Sequence, residues 1–253
     1  MARFFHDSTD SHLRYDQARA LQPASLNFWM DSVYSAVNGH LAHTVVDLGC
    51  GSGRFSLGLA EKFDAHVIGI DPSRRMLSRA PHRDRVTYLQ ASAEQLPLAD
   101  RSVDVVFMSM VWQHFTDPQR AGAQIARVLR TGGSLCIRTS TLETLDSALY
   151  LCFFPGARRI NEKSLPSRSD LMQWASRMGL SLSHRSTVQQ QIDANLYDYA
   201  QRIGLRGLSD LNSISDLEFM VGLNKLQQYC LRHSAGQPAM EMVDFFVFKK
   251  YSC

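Results

Sequence analysis

Residues 45–54, Val-Val-Asp-Leu-Gly-Cys-Gly-Ser-Gly-Arg, constrain the fold more than any other stretch of this chain. A β-branched run enters a turn with glycine at 49, 51 and 53, and a helical pattern follows at once. Glycine reaches backbone angles closed to other residues and lets the main chain approach a ligand closely. A helix that starts at such a place offers N–H groups without helical partners and a partial positive charge. In an open parallel sheet the turn lies at the carboxyl ends of the strands, where ligands bind. The segment therefore reads as the first strand, turn and helix of an α/β fold.

The rest of the chain agrees. Short, apolar, nearly continuous segments at 44–48, 66–70, 86–90, 103–108 and 134–139 read as strands buried on both faces. Between them, 54–63, 73–80 and 117–129 carry helical spacing. This alternation implies a parallel sheet with right-handed crossovers and helices on both faces. Before His43 the pattern is helical, at 11–21 and 23–38. After Thr139 an irregular, aromatic-containing stretch runs to Pro166. Then come a helix at 168–178, a strand at 180–186, amphipathic helices at 196–204 and 215–231, and a strand at 240–249. The last strand, separated by helices from the one near Leu180, can return as an antiparallel neighbour.

No Pro/Gly/Ser-rich linker sets off a second domain. The expectation is one domain over 1–253: a helical segment at 1–42, a sheet core at 43–190 and 236–253, and a helical insertion or lid at 191–235. A composition of 45% hydrophobic and 20% charged residues is that of a globular protein with a sizeable core. Lysine and arginine exceed aspartate and glutamate by 27 to 24, a scattered surplus too small to argue for nucleic acid. Five cysteines, at 50, 136, 152, 230 and 253, form an odd set without CxxC or Cys/His metal spacing. A disulfide framework and a bound metal are therefore not expected, and the reading is a reducing, cytoplasmic setting. The polar start of the chain and the lack of a membrane-length apolar run point the same way.

Spacing narrows the ligand. A dinucleotide turn needs a small residue three places after its second glycine, and here that place is Arg54. The second strand ends in Asp71, about twenty residues beyond the glycine turn, where a carboxylate can accept from two ribose hydroxyls. The competing readings are an ordinary tight turn for the glycines and a helix cap before Ser73 for Asp71. Together, in strand–turn–helix–strand context, the two features indicate a nucleoside. A nicotinamide oxidoreductase is weakened by Arg54.

The segments Asp47-Leu-Gly-Cys-Gly-Ser-Gly53, Asp71 and Ala91-Ser-Ala-Glu-Gln-Leu-Pro-Leu98 resemble class I S-adenosylmethionine-dependent methyltransferases, most closely small-molecule enzymes of the ubiquinone/menaquinone-biosynthesis type. The resemblance covers about 47–139. It implies a Rossmann-like, doubly wound seven-stranded sheet, mostly parallel with an antiparallel last strand, plus helical cap elements. It also implies S-adenosylmethionine as cofactor. Gly49, Cys50, Gly51 and Gly53 would back the methionine part, and Asp71 with Pro72 would hold the ribose. Met76 would pack on the adenosine, while Ser92, Ala93 and Glu94 would face the adenine edge. Many relatives have aspartate where Ser92 stands; a serine hydroxyl still accepts from the adenine amine, without charge assistance. Cys50 reads as a small turn residue and not a nucleophile.

Transfer from a sulfonium is an in-line displacement, so alignment and desolvation supply much of the catalysis. The fourth strand leads through Met108, Trp112 and His114, beside the expected methyl position. His114 is the acid/base candidate; its alternative role is to order the loop before Asp117-Pro118. Trp112 is a candidate for the acceptor pocket, against a packing role. Tyr15 and Arg19 in the N-terminal segment are candidates for the methionyl end. Phe153, Arg158 and Arg159 follow the fifth strand: Phe153 is a candidate for the acceptor pocket, and Arg158 or Arg159 for binding an acidic acceptor group, against the reading of a solvated pair. The partner expected is a small-molecule methyl acceptor. A second reading keeps cofactor binding but gives the chain a non-catalytic, regulatory or assembly role. Nucleic-acid methylation ranks lower, because the chain has no Asn/Asp-Pro-Pro-aromatic motif and no basic stripe.

Overall fold

The computed structural model describes residues 16–233 and 236–251. A seven-stranded sheet has the order β3-β2-β1-β4-β5-β7-β6. Its strands are β1 (Thr44–Leu48), β2 (His66–Asp71), β3 (Val86–Gln90), β4 (Val103–Ser109), β5 (Leu129–Thr139), β6 (Leu180–Asp193) and β7 (Ala239–Lys250). The pairs β1–β2, β1–β4, β2–β3 and β4–β5 are parallel. β7 runs antiparallel to β5, with Leu135 opposite Phe248 and Thr139 opposite Asp244. The helices are α1 (Pro23–Val37), α2 (Ser56–Phe63), α3 (Arg74–Leu77), α4 (Pro118–Val128), α5 (Pro155–Ser164), α6 (Arg168–Arg177), α7 (Leu196–Gly204), α8 (Ser209–Asn212) and α9 (Asp216–His233). This is the mostly parallel, Rossmann-like sheet with an antiparallel return that the sequence implied.

The described chain forms two compact units. One comprises 26–139, 166–187 and 244–251, and the other 16–25, 140–165, 188–233 and 236–243. The core of the first is the apolar filling around the sheet: Val46, Leu48, Val106, Met108, Leu135, Ile137 and Phe246, with Ile125 and Val128 of α4 and Leu171 and Trp174 of α6. The central strands β1, β4 and β5 are buried as expected. β3 differs: at the edge of the sheet it buries only Val86, because among the described residues it has a strand neighbour on one side alone. β5 starts earlier than the apolar run suggests. Gly132, at φ 83°, lets it bulge, and its partnership with β4 shifts between Val103↔Leu129 and Val105↔Ser134.

Caps explain several helix limits. Asp117 accepts from Arg120 N at the start of α4, where Pro118 occupies the first turn. Lys250 of β7 donates through Nζ to the carbonyls of Ala126 and Leu129 at the other end of α4. Ser167 and Asp170 form a reciprocal capping box at α6.

The second unit packs Leu145, Tyr150, Leu151 and Phe154 against Leu196, Tyr199 and Ile203 of α7, Leu211 of α8 and Phe219 and Leu226 of α9. Here the sequence reading needs correction, for the stretch taken as irregular to Pro166 holds the ten-residue helix α5. Phe153-Phe-Pro-Gly suggests a loop, but Pro155 sits in the first turn, where its missing N–H is harmless. The next amide, Gly156 N–H, is capped by Glu218 Oε1 of α9 at 2.5 Å. A cap supplied 62 residues away leaves no local signature. The short helix α8 was also not foreseen. Among the described residues, no helix is long and apolar enough to cross a membrane.

Candidate functional site

The site lies in the first unit, at the carboxyl ends of β1 to β4. After Leu48 the chain turns through Gly49, Gly51 and Gly53 at φ values of 72°, 58° and 78°. These left-handed angles strain any residue with a β-carbon. Space is closed as well: a β-carbon at Gly49 would collide with the side chain of Val111, and one at Gly53 with the hydroxyl of Tyr88. α2 begins at Ser56, two residues later than expected, with no side-chain cap at Phe55.

The turn's amides point inward. Gly49 and Cys50 donate to Ile70 O, Gly53 donates to Cys50 O, and Gly51 donates to Asp71 Oδ2 at 2.9 Å. The expected row of unpaired N–H groups is thus largely consumed, so this turn is a poor cradle for a pyrophosphate. It presents bare main chain beside two buried carboxyl groups, which suits a ligand end carrying positive charge. Asp47 at the end of β1 is 1% exposed and accepts from Ser56 Oγ at 2.7 Å. Burial pushes its carboxyl up to about 7, against the lowering effects of the Ser56 hydrogen bond and the Arg54 charge; nearby Asp71 raises it further.

Asp71 is 9% exposed and both of its oxygens are engaged. Oδ2 takes Gly51 N–H, and Oδ1 takes Ser73 N–H at 2.9 Å. The cap of α3 is Ser73, whose hydroxyl accepts from Met76 N. Each carboxylate oxygen has a second lone-pair direction, so the ribose role and the structural role are compatible. Met76 is buried and Pro72 half-buried beside it.

At the third turn Ser92 is half-buried and Ala93 buried. Glu94 is half-buried, and its Oε1 accepts from Thr116 N at 2.9 Å and Thr116 Oγ1 at 3.0 Å. Met108 is fully buried in the core beneath the site. Beyond it Met110 takes φ 58°, rare for a residue with a side chain, and Gln113 Nε2 donates to Met110 O at 3.0 Å. Trp112 stands edge-on to Trp174 at 4.8 Å and beside Phe115 at 6.0 Å, within an aromatic cluster of the core. His114 ends a short 3-10 turn and is exposed.

Three further candidates belong to the second unit. Arg158 is paired with Asp146 and Glu162 at 2.6 and 2.9 Å, Arg159 is exposed on α5, and Phe153 packs beside Tyr229 at 5.4 Å. Arg19 is half-buried. Tyr15 lies outside the described residues.

Two residues were passed over by the sequence reading. Tyr88, on edge strand β3, lies against Gly69 of β2 and Gly53 of the turn after β1, and nothing in its neighbours marks it. Arg138, near the end of β5, is 3% exposed, with its guanidinium 4.9 Å from the Trp29 ring and 5.7 Å from that of Phe55. It donates to Ser109 Oγ at 3.0 Å. An arginine in an apolar strand reads as an interruption until its aromatic partners, distant in sequence, are seen.

The strand order, the antiparallel return, the glycine-rich turn and the carboxylate that ends β2 are those of a class I S-adenosylmethionine-dependent methyltransferase. Comparison with known proteins agrees. The family described as "Methyltransferase domain" matches residues 46–137. An uncharacterized methyltransferase of Mycobacteroides abscessus is 40% identical over 195 residues, covering 75% of this chain and 68% of that protein. The 27-O-demethylrifamycin SV methyltransferase of Amycolatopsis mediterranei is 37% identical over 205 residues, covering 76% and 74%. Some other mycobacterial matches reach only 38% of their relatives' length. Among solved structures, a phosphoethanolamine N-methyltransferase of Haemonchus contortus, in complex with S-adenosylhomocysteine, has the same fold, with a TM-score of 0.59 at 17% identity over 98% of this chain and 58% of that one. The chain belongs to the methyltransferase family, and its cofactor is S-adenosylmethionine.

Proposed function

We propose that this methyltransferase acts on a small-molecule acceptor. The observation that carries the acceptor class is the match over three quarters of the chain to a relative named for 27-O-demethylrifamycin SV, an acceptor that is itself a small molecule. The cytoplasm is the proposed setting, and residues 1–253 act as one methyltransferase domain in this reading.

When bound, the cofactor supplies a methyl group made electrophilic by a sulfonium. The chain's part is to hold and align. The glycine-rich main chain of Gly49–Gly53 receives the methionyl end, and the Asp71 carboxylate lends the site a negative field that favours a cation. Asp71, which takes Gly51 N–H and Ser73 N–H, holds the ribose in this reading, next to Pro72 and Met76. Ser92 and Ala93 read the adenine edge. Much of the rate enhancement then comes from alignment and exclusion of water. His114 accepts the acceptor's proton where attack requires its loss.

The test supplies methyl-labelled S-adenosylmethionine with three acceptor pools: a panel of small hydroxylated and amine metabolites, total RNA, and denatured protein. Label in low-molecular-weight product is the expected result. Label confined to RNA or protein overturns the acceptor class, and tight binding without transfer to any pool returns the chain to a regulatory role.

A further inference from the structure

We propose that Glu94 is a positioning residue, tying the turn after β3 to the loop after β4 so that cofactor bound at one orders the other; this rests on the function proposed above. The observation is a convergence on one oxygen. Glu94 Oε1 accepts from Thr116 N at 2.9 Å, from Thr116 Oγ1 at 3.0 Å and from Asp117 N at 3.4 Å. The same residue's main-chain oxygen accepts from Arg120 Nε at 3.0 Å. Both ends of Glu94 therefore grip the loop and first turn of α4, across 22 to 26 residues of sequence. Hydrogen bonds from a charged acceptor are the stronger kind, and the amino end of α4 favours a negative charge beside it. Burial raises the Glu94 pKa, but hydrogen bonds from its own amide, Thr116, Asp117 and Ser92 outweigh this and bring it below the usual glutamate range. The strap is therefore charged at neutral pH.

The other end of the loop is fixed differently. Met110 N donates to Arg138 O at 2.9 Å, and the left-handed backbone of Met110 turns the chain so that Val111 occupies the space over Gly49. The loop that carries Trp112 and His114 is thus pinned at its start to the glycine turn and at its end, through Glu94, to the turn of Ser92 and Ala93. A carboxylate spent on Thr116 is a poor direct ligand for adenine but a good link between adenine and acceptor sides.

Hydrogen exchange resolved by peptide, with S-adenosylhomocysteine as probe, tests this in the full chain. In the wild type the probe is expected to slow exchange at 91–96 and also, by about fivefold or more, at 110–117, a coupling of ordinary allosteric size. Glu94→Ala is expected to keep the first protection and lose the second, with affinity by calorimetry falling no more than about threefold. Glu94→Gln, which keeps an acceptor for Thr116, is expected to restore the coupling. Thr116→Val, which removes one donor from the other side, gives a partial loss and covers the case in which Glu94→Ala does not fold. Unchanged protection at 110–117 in Glu94→Ala or Thr116→Val overturns the strap. An affinity loss beyond about tenfold in Glu94→Ala and Glu94→Gln alike makes Glu94 a direct ligand and also overturns it. A wild-type chain that binds no probe sinks the cofactor site itself, a failure separate from both.

Discussion

The ring of Tyr88 lies across Gly69, its register partner on the neighbouring strand, so closely that a β-carbon on the glycine would stand 2.6 Å from Cδ1 and 2.7 Å from Cε1. The same β-carbon would come within 3.1 Å of Cys50 Sγ. Tyr88 reaches on toward Gly53, where a β-carbon would collide with its hydroxyl, and Ser56 at the start of α2 holds Asp47. A tyrosine from the sheet edge thus braces the underside of the glycine turn, and Gly69 is bare so that the ring can pass.

Gly69→Ala should therefore destabilise the fold by about 1–3 kcal/mol, the usual cost of overpacking a filled site. The clash is with one ring, so Tyr88→Ala in the same chain should recover part of the loss. Urea denaturation of the two single variants and the double variant measures the coupling. Strictly additive effects would mean that the ring is not what excludes the methyl group.

Asp47 gives the stability a pH dependence whose sign can be worked out. Burial raises its folded pKa to about 7 from 3.8, so between these values the folded chain holds a proton that the unfolded chain has lost. Stability from this group is complete below the unfolded value and declines as pH climbs to the folded one. From pH 5 to pH 8 the wild type should lose roughly 2–3 kcal/mol more than Asp47→Asn, which keeps an acceptor for Ser56 but cannot ionise. Parallel slopes for the two proteins in chemical denaturation would remove Asp47 as the source.

Asp71→Ala should weaken S-adenosylhomocysteine binding by more than about tenfold, the scale of lost hydrogen bonds to a charged group. Asparagine is not a mild replacement here. Gly51 N–H and Ser73 N–H approach opposite oxygens of the carboxylate, and an amide offers only one acceptor oxygen, setting its NH₂ against the other donor. Asp71→Asn should therefore lower the melting temperature as well as the affinity. Titration calorimetry paired with thermal melting separates the effects, and wild-type affinity in either variant would take Asp71 out of the site.

What the sequence disclosed follows from which interactions are local. The strand cores at 44–48 and 86–90 and the helix at 196–204 were legible to the residue, because β-branched runs and helical spacing are properties of adjacent positions. The glycine turn was legible too, since left-handed backbone leaves its mark in residue type. Helix α5 was not, because the cap that permits Pro155-Gly156 at its start comes from Glu218. Tyr88, Arg138 and the strap at Glu94 escaped for the same reason: each acquires its role from a partner 19 or more residues away. Trp112 is a further case. A large aromatic at a strand end suggested a ligand wall or a packing role, and the half-buried ring packs edge-on against Trp174, a contact 62 residues away that no local pattern shows.

The most stringent test of the sheet's antiparallel return is the ion pair of Arg168 and Asp244. Asp244 is fully buried on β7 opposite Thr139 of β5, and Arg168 opens α6. The guanidinium donates to both carboxylate oxygens, through Nε at 2.9 Å and Nη2 at 3.0 Å, while Thr187 Oγ1 of β6 donates to Oδ1 at 2.6 Å. One carboxylate thus joins a helix and two strands. Removing the arginine alone strands a charge in an apolar setting, so Arg168→Ala should cost about 3–5 kcal/mol. Replacing the pair together, as Arg168→Met with Asp244→Leu, removes the charge with its partner and should cost far less, the remaining loss being the donor left at Thr187. Denaturation midpoints across this cycle decide the matter. A single variant as stable as the wild type would show that the pair is a surface decoration, and a double variant worse than both singles would show that the carboxylate itself is what the three elements need.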